Sequence, residues 1–281
     1  MLRSASCVVA TLLFTHAAAN AEPPIKWAPL FVGVDHTEWK VEQPVLMHAD
    51  ALRIDRSAPG VRVFTTPANG DEPLETNGCT TTAFLARRKL QVAMNTHFFG
   101  PCCKKIDGEP KDLIGLAIHN GTVVSPPGKW HAVLFMKSGA VEVRPESPTL
   151  LDEIDPSLVA HGLCGELLMT GGELLPAASE GKRHPRSAIG FSADRRTCYL
   201  MAIDGRRPGH SLGATLRDVA EQLAHLGAAE AFNVDGGGST TLVAAGANGT
   251  PNVLNVTSAE ERVVASHLGF FAKPLEDSAG Q

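Results

Sequence analysis

The sequence predicts an α+β (mixed α/β) fold, a single compact domain of β-hairpins and mixed sheet with a few packed helices. Three observations predict it. Short apolar runs of strand length recur and end at polar, glycine-containing tips. Turn dipeptides that close hairpins, Asn120-Gly121 and Ser138-Gly139, separate such runs. One strongly periodic segment, residues 215–227, reads as an amphipathic helix that feeds the apolar run 228–234. Strands that outnumber helices in one unit fit that class.

Taken in order, residues 22–45 are Pro-rich and irregular. Residues 47–54 and 61–66 read as strands punctuated by Pro59-Gly60, a hairpin-like opening. Residues 80–89 read as a short helix with threonine caps and Phe84-Leu85 on its buried side. Residues 90–94 form an apolar strand that ends in Asn95-Thr96-His97-Phe98-Phe99-Gly100. A charged loop, 101–112, carries Cys102-Cys103, and loops of that length are often functional. Hairpins follow around Asn120-Gly121 and Ser138-Gly139. Residues 158–170 are apolar and broken by glycines. Strands at 187–191 and 198–203 come next, the first opened by Arg186 and the second ending at Asp204-Gly205. In the 215–227 helix, Thr215 and Asp218 make a capping-box start, and Gly227 is the stop. Residues 241–244 begin an outgoing strand, 248–255 are loop-like, and 263–271 form a final strand.

Composition narrows the function. The chain has 281 residues and a formal net charge of −5. It has no Lys/Arg stripe of the kind that binds nucleic acid. Residues 1–21 read as a signal peptide: Arg3, an apolar stretch too short to span a bilayer, and Ala19-Asn20-Ala21 as cleavage site. The expected location is therefore secreted or periplasmic, without stable membrane insertion, and residues 22–281 form the single domain. Five cysteines remain after the leader. An oxidising compartment favours pairing, and the expected bonds are Cys79 to Cys102 or Cys103, and Cys164 to Cys198. Asn120, Asn248 and Asn255 open glycosylation sequons.

The chemistry gathers at three strand tips: Asn95 with His97, Asp204, and Asp235. After Asp235 come Gly236, Gly237 and Gly238, then Ser239, Thr240 and Thr241. A plain hairpin needs fewer glycines. Three glycines let a backbone approach an anion with no Cβ in the way, and their N–H groups are candidate phosphate donors. Arg186 is the candidate guanidinium for a phosphate fork. Carboxylates can stabilise a cationic sugar-ring transition state. Each member also has a plain structural reading: Asp204-Gly205 as a turn, Asn95 as a loop bridge, His97 as a core histidine, Phe98-Phe99 as core, Arg206-Arg207 as a solvated face, Glu166 as a solvent-facing strand position. Nucleotide-cradle motifs are absent. Gly237-Gly238-Ser239 is half of a nucleophile elbow, so a serine hydrolase with His225 or His267 as base is a further reading. No cofactor is implied. A divalent metal near the carboxylates stays open, because oxygen ligands follow no spacing rule.

Four ordered motifs carry a resemblance. Residues 215–241, ending in Ala231-Phe232-Asn233-Val234-Asp235-Gly236-Gly237-Gly238-Ser239-Thr240-Thr241, resemble the phosphodiester glycosidase family. Ala93-Met94-Asn95-Thr96-His97-Phe98-Phe99, His184-Pro185-Arg186-Ser187-Ala188-Ile189-Gly190 and Glu261-Arg262-Val263-Val264-Ala265-Ser266 are similar to its other blocks. The resemblance covers a core of about residues 80–271. It implies hydrolysis of a sugar-1-phosphodiester at the glycosidic bond, with an N-acetylglucosamine-1-phosphodiester or an exopolysaccharide phosphodiester as substrate. It implies Asp235, Asn95, Arg186 and Asp204 as catalytic residues. Substrate contacts fall to His97, Phe99, Gly236, Gly237, Gly238, Ser239 and Thr240. The alternative is a non-catalytic glycan-binding module on the same fold.

Overall fold

A computed structural model of the chain describes residues 25–102, 106–246, 248–257 and 259–275. The expected leader and Cys103 lie outside them. The chain enters through an antiparallel meander of β1 (Ala28–Phe31), β2 (Val34–Val41) and β3 (Met47–Asp55). β4 (Arg62–Thr65) then leaves for a second sheet. The Pro59-Gly60 turn therefore changes sheet instead of closing a hairpin. α1 (Thr81–Arg88) is capped by Thr80, whose side chain accepts from the Ala83 N–H, and it stops at Lys89 in the left-handed region.

Next come β5 (Val92–Asn95), β6 (His131–Met136), β7 (Val141–Pro145) and the long β8 (Val159–Thr170). The expected glycine breaks in β8 do not interrupt it. At Gly162 and Gly165 an added Cβ would press on Ile118 and Phe232, so these glycines admit close packing. β9 (Arg186–Phe191) and β10 (Thr197–Ile203) form a hairpin. α2 (Leu216–His225) has the Thr215–Asp218 capping box and leads into β11 (Glu230–Asn233). β12 (Leu242–Ala245), β13 (Pro251–Val253) and β14 (His267–Phe271) complete the path. The Asn120-Gly121 turn also forms, both residues at positive φ, between paired strands 117–119 and 122–125.

The large sheet runs β1-β2-β3-β10-β9-β11-β8-β6-β7, and the second runs β13-β12-β5-β14-β4. Leu52, Ile54, Leu200, Ala202, Phe232, Val92, Met94 and Leu268 fill the core shared by the two sheets. The alternate residues, among them Ala49, Ala51, Met201 and Ile203, face α2 on the outer side. Central strands are thus apolar on both faces, which explains their continuous apolar runs.

The class expectation needs correcting. Among the described residues 43% lie in strands and 11% in helices, so the fold is sheet-dominated, not α+β with several packed helices. Each sheet covers the inner face of the other, and only the outer faces call for a helix. The expected disulfides also fail: Cys79, Cys164 and Cys198 are free and buried. Burial raises the thiol pKa of Cys79 to about 11.

Candidate functional site

Strand direction brings the tips together. β9 runs antiparallel to both β10 and β11, with Arg186 opposite Ile203 and Ala188 opposite Asn233. The ends of β10 and β11 and the start of β9 therefore share one edge of the large sheet. The second sheet delivers β5 to the same place. Asn95 stitches the two: its Oδ1 accepts from Ser187 Oγ at 2.7 Å and from the Thr241 N–H at 3.1 Å. Its Nδ2 donates to the Asp235 carbonyl at 2.5 Å. The Asp235 N–H donates to Thr96 O at 2.7 Å. Asn95 is buried with both its amide oxygen and its amide nitrogen bonded across the seam, so it builds the junction.

The Asp235 carboxyl sits at that junction. Burial pushes its pKa up from 3.8 to about 6, against a hydrogen bond from Ser239 and attraction to Arg262. Beyond it the chain makes a short 3₁₀ turn, Gly237–Ser239. The turn is tied back by Gly237 N–H to Pro185 O at 2.8 Å, so this N–H is not free for a phosphate as expected. Gly237 has φ +65°, which a side chain would strain. The missing Cβ atoms make room for two guanidinium groups. A Cβ on Gly237 would lie 3.1 Å from Arg206 Nη2, and one on Gly238 would lie 2.3 Å from Arg262 Nη2. Arg262 Nη1 also donates to Ser239 Oγ at 3.2 Å and approaches Cys102 Sγ at 3.8 Å. Arg206 Nη2 meets His184 Nδ1 at 3.3 Å. Partial burial, and after it repulsion from the nearby cations Arg186, Arg206 and Lys182, hold His184 below its ordinary pKa. The turn is thus flanked by two arginines with a carboxyl beneath it.

The other expected site residues fall elsewhere in this frame. Arg186 is close in backbone, its Cα 3.4 Å from a Cβ placed on Gly236. Two of its five N–H donors go to carbonyls, Nε to Ala214 O at 3.1 Å and Nη2 to Lys182 O at 3.2 Å, which fixes the side chain along the loop. Asp204 has no exposed surface. Its Oδ2 meets His210 Nε2 at 2.7 Å, and its Oδ1 accepts from Val256 N–H at 2.9 Å and Asn255 Nδ2 at 3.2 Å. Asn255 Nδ2 also reaches Thr240 O at 3.4 Å, so Asp204 is coupled to the turn through Asn255. Asn255 is itself buried, which removes it as a glycan acceptor. His97 is buried between Ser266 Oγ (2.9 Å) and Leu116 O (3.0 Å), with both ring nitrogens in use. Desolvation lowers its pKa. Phe99 packs in a small core with Leu113 and Val264, and is no stacking platform. Ser239 and Thr240 are buried in the turn. Ser239 Oγ contacts Asp235 and Arg262, while His267 is stacked on Phe84 at 4.4 Å and bonded to Thr66. His267 is therefore no base for Ser239. His225 ends α2.

Arg206, Arg262 and His184 are the residues that sequence reasoning missed. The signal was present for Arg262, which stands in the Glu261-Arg262 block, and for Arg206, which follows the Asp204-Gly205 tip directly.

A family model described as phosphodiester glycosidase matches residues 88–271. No curated protein sequence matches the chain. Among solved structures, a hypothetical protein from Synechocystis superposes with a TM-score of 0.65 at 17% identity, over 90% of this chain and 64% of that one. The catalytic domain of zebrafish N-acetylglucosamine-1-phosphodiester alpha-N-acetylglucosaminidase, auto-inhibited by its pro-peptide, matches with a TM-score of 0.65 at 17% identity, over 91% of this chain and 86% of that one. A Burkholderia pseudomallei protein described as exported has a TM-score of 0.59 at 17% identity, over 81% of this chain and 74% of that one. These likenesses share the fold.

Proposed function

Since the chain belongs to the phosphodiester glycosidase family, we propose that it hydrolyses the glycosidic bond of a sugar-1-phosphodiester. The observation that carries this reading is the half-buried Asp235 carboxyl, its pKa raised to about 6, beneath a glycine turn flanked by Arg206 and Arg262. In this reading the phosphodiester lies against the two guanidinium groups, where charge-assisted hydrogen bonds neutralise it. Gly237 and Gly238 let it approach closely. The C1–O bond breaks, the phosphate leaves as a phosphomonoester, and water supplies the hydroxyl that appears on the sugar. The leaving group is already stable as an anion, so little acid assistance is needed. Asp235 acts as a carboxylate on the sugar side, where it stabilises positive charge at C1 or activates the water. Ser239 donates to that carboxylate. Asn95, Arg186 and Asp204 position the junction.

The zebrafish relative's name suggests N-acetylglucosamine as the sugar, and an exopolysaccharide phosphodiester is the other substrate class. A secreted or periplasmic location goes with the expected leader, and among the described residues no helix is long and apolar enough to cross a membrane. The test is incubation with an N-acetylglucosamine-1-phosphodiester and with simpler sugar-1-phosphodiesters, scoring free sugar and phosphomonoester together. The Asp235→Ala variant is expected to lose roughly 10²–10⁴-fold in turnover. Full activity in that variant sinks the assignment, and binding without turnover in the wild-type chain favours a glycan-binding module.

A further inference from the structure

A second polar cluster lies behind the turn, on the inner face of β3 and β10. His48 and Asp50 are two apart on β3 and so share a face. The Asp204 N–H donates to His48 O at 2.9 Å, which sets the Asp204 carboxyl beside the His48 ring. Residues 205–211 loop back, and Ser211 Oγ fastens the return by donating to Asp204 O at 2.6 Å. That return sets the His210 ring against that of His48, centroids 4.7 Å apart and planes tilted by 35°.

One ligand atom each from His48, Asp204 and His210 converge within 4.8 Å of one another. His48 Nδ1 is 3.3 Å from Asp204 Oδ2, and His210 Nε2 is 2.7 Å from the same oxygen. A tetrahedral ion with ligand bonds of about 2.0–2.1 Å would place its ligands about 3.3 Å apart. One pair already has this separation, and the other must open slightly. An Asp204–His210 hydrogen bond alone would explain those two residues, but it leaves two buried atoms unexplained. His48 Nδ1, for all its 3.3 Å approach to Asp204 Oδ2, and Asp50 Oδ2 make no hydrogen bond of good geometry, although Asp50 is 1% exposed. They face each other at 3.7 Å. An unsatisfied buried group of this kind costs about 1–3 kcal/mol. A cation between them would satisfy both.

The surroundings are those of a prepared centre. Asp50 Oδ1 is held by His36 Nε2 at 2.9 Å, Asp204 Oδ1 by Val256 N–H and Asn255, and Glu38 lies 3.9 Å from His48 Nε2. Ligands in metal sites are oriented by such partners on their far side. We propose that His48, Asp204 and His210 form a divalent transition-metal site, with Asp50 beside His48 as the neighbouring carboxylate. Two imidazoles with carboxylates suit zinc better than calcium or magnesium. Bound there, the ion braces β3 to the 205–211 loop, and Asp204 carries that brace through Asn255 to the glycine turn.

The test needs no substrate, so its outcome is separate from the glycosidase reading. The full chain is stripped with a chelator and titrated calorimetrically with Zn²⁺, and its unfolding midpoint is followed with and without the ion. One ion per chain and a raised midpoint are expected. His210→Gln, on the half-exposed loop, should weaken binding by about 100-fold or more, and Asp50→Asn by roughly 10-fold. His131→Gln, a control outside the cluster, should bind as wild type. The circular dichroism of His210→Gln in chelator should match that of the stripped wild type. Absent Zn²⁺ binding, unchanged affinity in His210→Gln, or equal loss in His131→Gln overturns the proposal.

Discussion

Asp235 is where the tension between stability and chemistry is sharpest. Its carboxyl titrates near 3.8 in an unfolded chain and at about 6 when folded. The folded state therefore holds its proton more tightly. The associated stability is fully present below pH 4, falls between the two values, and is gone above about pH 6. An ionised Asp235 at pH 7.5 thus costs about 2–3 kcal/mol at 1.36 kcal/mol per unit. Urea unfolding should find Asp235→Asn more stable than wild type at pH 7.5, with the gap closing towards pH 4. The activity profile should rise through about pH 6 if the carboxylate form works. The three glycines should behave differently from one another. A Cβ on Gly236 would lie 2.7 Å from the Pro185 carbonyl, which is backbone and cannot move cheaply. Gly236→Ala is therefore expected to lower stability by about 1–3 kcal/mol. On Gly238 the obstacle is the end of the Arg262 side chain, so Gly238→Ala should keep the fold and raise KM by displacing that guanidinium. Comparable melting of the two variants would refute this distinction.

At the scale of elements, much was legible because the determinants are local. The capping box of α2, the Asn120-Gly121 turn and the apolar run into Asp235 each follow from neighbours in sequence. The strand-tip rule also located Asn95 and Asp235, which do meet. What stayed hidden is direction and partnership. Nothing near Pro59-Gly60 says that β4 joins another sheet, since a turn signal specifies reversal and not the strand that pairs next. Arg186 sits at the right edge with its side chain anchored to the Ala214 and Lys182 carbonyls, while Arg206, read as a solvated face, points over the turn. His48, Asp204 and His210 meet only because β3 pairs with β10. Asn95 joins the two sheets at the site through its side chain, beside the backbone bond from Asp235 to Thr96, and its replacement tests that role. Asn95→Ala strands the Thr241 N–H and the Asp235 carbonyl, at an expected cost of about 2–4 kcal/mol. Thermal unfolding should reveal a loss of that size, and a variant as stable as wild type would contradict it.

For the whole molecule, the seam between the sheets matters most. The large sheet brings Asp235, Arg206 and the start of β9, and the second sheet brings Asn95 and the start of β12. Neither sheet holds the candidate site alone. The proposed hydrolysis would therefore report docking between two slabs, and each slab can keep its own ladder of hydrogen bonds while the seam opens. In mild denaturant, turnover should fade before the far-ultraviolet signal of the strands does, and amide exchange should quicken first at Asp235, Thr241 and Ser187. Coincident loss of activity and strand signal would mean the sheets part only as they melt. If the seam does open first, the working lifetime of the candidate site is set by the strength of a few contacts around Asn95, and a change there would tune its durability without altering a residue placed against substrate in the proposed reading.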